Sequence, residues 1–166
     1  MADATQNHFE RLGLPRRFFV DPADLERAYL ARSRDVHPDY HADSTTDESA
    51  AVNEAYATLR DPFRRADYLL SLYHGDATPE VVPLPPAFLM RAMEFREQLE
   101  EAGADAEKLY RLDGELRAAI DSERAAVATL FEPELTPESA APIRRHLNAW
   151  KTLAGLQRSV ADALTS

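Results

Sequence analysis

The sequence predicts an all-α protein: a helical hairpin with flanking helices in its first half, and an antiparallel three-helix bundle in its second. Three observations carry this reading. Apolar residues recur at helical spacing along most of the 166 residues, and alternating patterns are almost absent; only Glu80-Val81-Val82 suits an extended run. Paired start signals, Asp21-Pro22, Asp61-Pro62 and Thr136-Pro137, punctuate the chain. Four of the eleven prolines (Pro79, Pro83, Pro85 and Pro86) crowd between Asp76 and Pro86, a density that makes a stiff connector between two lobes. The expected division is residues 1–75, a connector at 76–86, and residues 87–166.

Each element has its own local cause. Asn7 to Leu12 reads as a short helix stopped by Gly13 and Pro15. The second helix takes Asp21 as N-cap, Pro22 at the first helical position and Asp24 at the third. Its apolar face is Leu25, Ala28, Tyr29 and Val36. The third helix starts near Thr46 to Glu48 and ends at Arg60, with a stripe of Val52, Ala55, Tyr56 and Leu59. After Asp61-Pro62 a fourth helix carries Phe63, Ala66, Leu69, Leu70 and Tyr73, and Gly75 suits the residue just past its end. Phe88 to Glu101 reads as the fifth helix, ended by Gly103. Asp105 to Phe131 reads as the sixth, with Leu109, Leu112, Leu116, Ile120, Val127 and Leu130 on one side. The last begins at Thr136-Pro137-Glu138 and carries Ile143, Leu147, Trp150, Ala154, Val160 and Leu164. Three amphipathic helices joined by short loops suggest the bundle.

Composition narrows the function classes. A 45% hydrophobic fraction is that of a globular chain. With 29 acidic and 19 basic residues the net charge is -10, which argues against general nucleic-acid binding. Without cysteine there is no disulfide, no thiol nucleophile and no cysteine metal site. No window approaches the ~18 consecutive apolar residues of a membrane span. Met1 to His8 lacks the basic start and apolar core of a secretory signal, so a cytoplasmic protein is expected. Neither a Gly-x-Ser-x-Gly elbow nor a phosphate-cradling glycine loop is present, so no catalytic residue and no cofactor is assigned.

His37-Pro38-Asp39 stands out. Pro38 has no N–H and pushes residue 37 out of the helical region, so it ends the second helix. An imidazole and a carboxylate are thereby displayed at the tip of the hairpin. One plain alternative is a histidine in the last turn of a helix, favoured there by the helix dipole, with Asp39 an ordinary loop residue. Another is a metal site from the alternating His37, Asp39 and His41, but His8, His74 and His146 are scattered and offer no further ligand nearby.

The tripeptide, set between two antiparallel amphipathic helices, resembles the J-domain, the module that stimulates ATP hydrolysis by DnaK-type chaperones. Residues 53–70, from Asn53 through Asp61-Pro62 and Arg65-Ala66 to Leu70, are similar to the third and fourth helices of the HscB family, the J-proteins of iron–sulfur cluster assembly. Phe88-Leu89-Met90 and the run Met93 to Glu101 are similar to the helix with which that family holds its cluster scaffold. The resemblance implies two partners, the DnaK-type ATPase HscA and the scaffold IscU, and no enzymatic activity of the chain's own. It implies that His37, Pro38 and Asp39 contact the ATPase, with Asp39 pairing with an arginine there. Arg27 and Arg34, two helical turns apart on one solvent face, would meet acidic surface on the same partner. It also implies that Leu89, Met90 and Met93, rimmed by Glu94, Glu97 and Glu101, contact the scaffold. The competing reading of those three apolar residues is bundle core, although Phe88, Phe95 and Leu99 are available for that. A J-domain adaptor with a different client is the alternative function.

The chain departs from the family pattern in places. Tyr40 stands where most J-domains carry a basic residue. Arg32 occupies an inner position that is usually apolar; its stem would cover apolar surface while the guanidinium reaches solvent. Asp24, Glu26 and Asp35 offset the arginines of the second helix. Asn148 falls where a basic scaffold contact is expected, and the missing cysteines rule out the metal-binding extension of some relatives.

Overall fold

The structure is a computed structural model that describes residues 6–36, 46–74, 82–132 and 135–165. The chain divides into two compact units, Met1–Leu72 and Tyr73–Ser166. All regular elements among the described residues are helical: α1 (His8–Arg11), α2 (Pro22–Asp35), α3 (Thr46–Arg60), α4 (Pro62–His74), α5 (Pro86–Ala102), α6 (Ala106–Phe131) and α7 (Ala140–Leu164).

In the first unit Asp21 and Asp61 cap their helices as the sequence predicts, and Asn7, expected as the first residue of its helix, is the cap of α1 instead. The Asn7 carboxamide accepts from the N–H groups of Phe9 and Glu10, while the Glu10 carboxylate accepts from Asn7 N–H at 3.2 Å. That reciprocal pair satisfies donors a four-residue helix would otherwise leave open. Asp21 caps α2 by accepting from Ala23 and Asp24 N–H, and Asp61 accepts from Arg64 N–H at 2.9 Å to start α4. α2 and α3 form an antiparallel hairpin. Ser49 Oγ donates to the Val36 carbonyl near its loop end, and Tyr29 stacks on Tyr56 at 4.2 Å further along. Phe9, Leu25, Val36, Val52, Ala55, Leu59, Ala66, Leu69 and Leu70 are buried. Tyr73, expected with the apolar residues of α4, is 49% exposed instead.

α1 is held by His8, whose N–H donates to Tyr68 Oη at 2.9 Å and whose ring stacks on Tyr68 at 4.2 Å. Burial pushes the imidazole below its ordinary value of 6.5; Glu54 opposes this, and Arg11 and Arg64 add to it. A lowered histidine pKa means that the neutral form fits the fold. The contribution is complete above about pH 6.5 and is lost as pH falls through the lowered pKa. Melting temperatures taken between pH 7.5 and 5 will fall for the native protein and fall less for His8→Gln.

In the second unit Asp105 caps α6 by accepting from Glu107 and Lys108 N–H. α6 and α7 run antiparallel, tied at one end by Gln157 Nε2 to Asp113 Oδ1 (3.0 Å). Toward the other end His146 Nδ1 lies 2.7 Å from Glu123 Oε2. Phe95, Ala102, Leu109, Leu112, Leu116, Leu153, Leu156 and Val160 form the core, with Phe88, Leu99 and Ile120 packed against it. Two starts differ from expectation. α5 begins at Pro86, not Phe88, because a proline tolerates the first helical position, where no N–H is needed; Pro86 therefore belongs to the helix and not to the connector. Pro137–Ser139 forms a 3-10 turn before α7, and Thr136 gives no side-chain cap; its carbonyl instead accepts from the N–H and hydroxyl of Ser139. Residues 75–81, including Gly75 and most of the predicted connector, lie outside the described residues.

Gly114 sits exposed in the middle of α6, and a Cβ built there meets nothing within 4 Å. Gly114→Ala is expected to stabilise the protein by about 0.5–1 kcal/mol in urea titration, since the alanine loses less backbone freedom on folding.

Candidate functional site

Two separate faces carry the residues singled out by sequence. The first is on the α2–α3 hairpin. Arg27 and Arg34 are both exposed. Arg27 is engaged by Asp24 in an (i, i+3) ion pair, whereas Arg34 makes no ion pair among the described residues. Such an exposed pair is screened and weak, so Arg27 can exchange it for another carboxylate at little cost. Leu30, one turn from each, is 46% exposed. His37, Pro38, Asp39, Tyr40 and His41 lie outside the described residues, so their arrangement is not part of this geometry. What flanks them is braced. Ser49 Oγ donates to Val36 O at 2.9 Å, and Tyr29 Oη donates to Asn53 Oδ1 at 3.0 Å. Among the described residues no group of three His, Asp or Glu side chains stands close enough to hold a metal ion.

The second face is on α5, which has two opposite sides. Phe88, Ala92, Phe95, Leu99 and Ala102 turn to the core. Leu89, Met90 and Met93 turn away and are 47%, 64% and 63% exposed, which removes the bundle-core reading for them. Glu94, Glu97 and Glu101 are exposed beside them and make no ion pair among the described residues. Three large apolar side chains grouped in this way are an exposed patch and not scattered surface residues. Methionine adapts its shape to what it meets, and the glutamates favour a partner whose rim is basic. Asn148 is half-buried, with its amide 3.5 Å from the Val82 carbonyl.

Several structural residues escaped the sequence reading. Arg65 is 7% exposed, donates through Nη1 to the Leu59 carbonyl at 2.6 Å and stacks over the Phe18 ring. Thr58 is also buried. The only signal in the sequence was the local run Arg65-Ala66. Arg32 is half-buried, and its Nε is enclosed without a hydrogen-bond partner, so the head group does not simply reach into solvent as expected.

Comparison with known proteins agrees with this two-unit layout. Residues 7–68 match the DnaJ domain, and residues 84–154 match the HSCB C-terminal oligomerisation domain. The chain is 42% identical over 137 residues to the co-chaperone protein HscB homolog of Bordetella petrii, covering 78% of this chain and 81% of that one. It is 41% identical over 138 residues to the homolog of Ralstonia nicotianae, covering 78% of each. Among solved structures, chaperone HscB from Vibrio cholerae superposes with a TM-score of 0.72 at 32% identity, over 95% of this chain and 96% of that one. Human co-chaperone protein HscB superposes with a TM-score of 0.80 at 26% identity, over 96% and 82%. The chain therefore belongs to the HscB family of J-domain co-chaperones.

Proposed function

We propose that the protein delivers the iron–sulfur scaffold IscU to the DnaK-type chaperone HscA and stimulates that partner's ATPase, in the bacterial cytoplasm. The J-domain occupies residues 1–75 and engages HscA through His37, Pro38, Asp39, Arg27 and Arg34. The bundle, residues 87–166 with Pro86 opening its first helix, engages IscU through Leu89, Met90, Met93, Glu94, Glu97 and Glu101. The observation that carries the reading is the split of α5 into a core side and an exposed apolar side edged by exposed glutamates, in a chain of the HscB family.

The chain needs no catalytic group for this, because the hydrolysis belongs to HscA. A partner accelerates it by binding the reactive conformation of the ATPase better than the resting one. Calorimetry of the full chain against purified IscU tests the client assignment. A saturable one-to-one isotherm is expected; no heat and no binding at tens of micromolar would remove IscU as the client.

A further inference from the structure

The chain has no cysteine and three methionines, Met1, Met90 and Met93. Beyond Met1, all of its sulfur therefore lies on the outer side of α5. Met90 and Met93 stand one helical turn apart and are 64% and 63% exposed. The buried apolar residues of both units are Phe, Leu, Val, Ile, Ala and Trp, without a sulfur atom among them. An oxidant that reaches the folded chain thus meets thioethers on an exposed apolar patch and none in the core. Exposure is what makes such sulfur oxidisable, and the sulfoxide it forms is polar and chiral where the thioether was apolar and adaptable.

We infer that Met90 and Met93 are a paired oxidation site, at which a peroxide converts both thioethers to sulfoxides and so releases the partner from α5 without unfolding the chain. This rests on the proposed role of that side of α5 as the scaffold-binding face. At each residue a sulfur lone pair attacks one oxygen of hydrogen peroxide. The S–O bond forms and the O–O bond breaks. The attacked oxygen gives its proton to the other, which leaves as water. Sulfur is oxidised by two electrons and the peroxide is reduced. Glu94 lies one turn beyond Met90, and Glu97 one turn beyond Met93; both are exposed. With a net charge of -10 behind them, they repel anionic oxidants and leave neutral peroxide the favoured one.

In the free chain water satisfies each new oxygen. On docking that water is lost, and the neighbouring carboxylates have no hydrogen to donate in its place. Arg91, between the two in sequence, lies over the Phe95 ring at 5.3 Å. An acceptor buried without a donor opposes binding. The return step needs a dithiol, which closes to a disulfide as the sulfoxide oxygen leaves as water. Without cysteine the chain cannot supply it, so the reductant is a separate methionine sulfoxide reductase.

The test treats the full chain with hydrogen peroxide, removes the excess with catalase, and titrates the product against IscU by calorimetry. Peptide mass mapping follows the oxygens added. Met90 and Met93 are expected to oxidise about as fast as methionine in a short peptide. IscU binding should then weaken about tenfold or more. The melting temperature and HscA stimulation without IscU should stay the same. A methionine sulfoxide reductase with dithiothreitol should restore the affinity. Met90→Leu with Met93→Leu removes the sulfur and keeps apolar bulk, so whatever affinity that variant has should be equal before and after peroxide. Slow oxidation of the two residues, a fall in melting temperature, failure to recover on reduction, or a peroxide-dependent loss in the leucine variant overturns the inference. The untreated chain separates the two levels of the argument. No binding there removes the scaffold-binding face and the inference with it, whereas binding that survives full oxidation removes the oxidation site alone.

Discussion

Asp39→Asn will leave the fold intact and abolish stimulation of the HscA ATPase. The substitution changes one oxygen to an amide nitrogen and keeps the shape of the side chain. Its expected melting temperature is that of the native protein, because the hairpin is braced by other residues: Tyr29 on Tyr56, Ser49 on Val36, and the buried Leu25, Val52 and Leu59. On the proposed function, what changes is the charge that the docked complex would desolvate. Removing one member of a buried, hydrogen-bonded ion pair leaves the partner's arginine enclosed and unpaired, a cost of about 2–5 kcal/mol. At about 1.4 kcal/mol per factor of ten, that exceeds an order of magnitude in the docked population. Since only differential binding to the reactive state can raise the turnover rate, stimulation should vanish at working concentrations. IscU binding by the variant should be unchanged in calorimetry. Full stimulation by a well-folded Asp39→Asn protein would remove the assignment of the tripeptide.

Replacing Met90 and Met93 together by alanine will weaken IscU binding by about tenfold or more and leave stability nearly unchanged. Both side chains are more than 60% exposed, so truncation opens no cavity and falls among the surface substitutions, worth within about 0.5 kcal/mol of folding free energy. In a complex the same side chains would be central, with Leu89 beside them and the glutamates as a polar rim, which is where interface energy concentrates. Stimulation by the variant in the absence of IscU should match the native protein. The contrary outcome, unchanged affinity with a large loss of thermal stability, would mean that these residues serve the fold.

Much of the fold was legible because its signals are local. Asn7, Asp21, Asp61 and Asp105 each cap a helix from within three residues, and a cap needs only the adjacent N–H groups. The division of α5 was legible only in part: helical spacing groups Phe88, Phe95 and Leu99 apart from Leu89, Met90 and Met93, but bundle core stayed open for the last three, and only their exposure decides against it. The misreadings have equally definite causes. A proline cluster looks like a connector, yet its last member, Pro86, is well suited to open a helix. Tyr73 has apolar spacing but lies near the end of α4, where helical spacing alone does not fix burial. Arg65 looks like a solvated helix arginine. Its burial depends on Phe18 and on the Leu59 carbonyl, contacts that only the folded chain brings together. Arg32 belongs with Arg65, because its enclosed Nε is a property of packing and not of spacing.

The proposed function makes the chain a two-ended adaptor, and one assay reads both ends together. HscA ATPase turnover is measured with this protein alone, with IscU alone, and with both. The two together are expected to stimulate turnover well beyond the sum of their separate effects, because on the proposed function one face recruits the client while the other triggers hydrolysis. Stimulation no greater than that sum, or none at all, would contradict it.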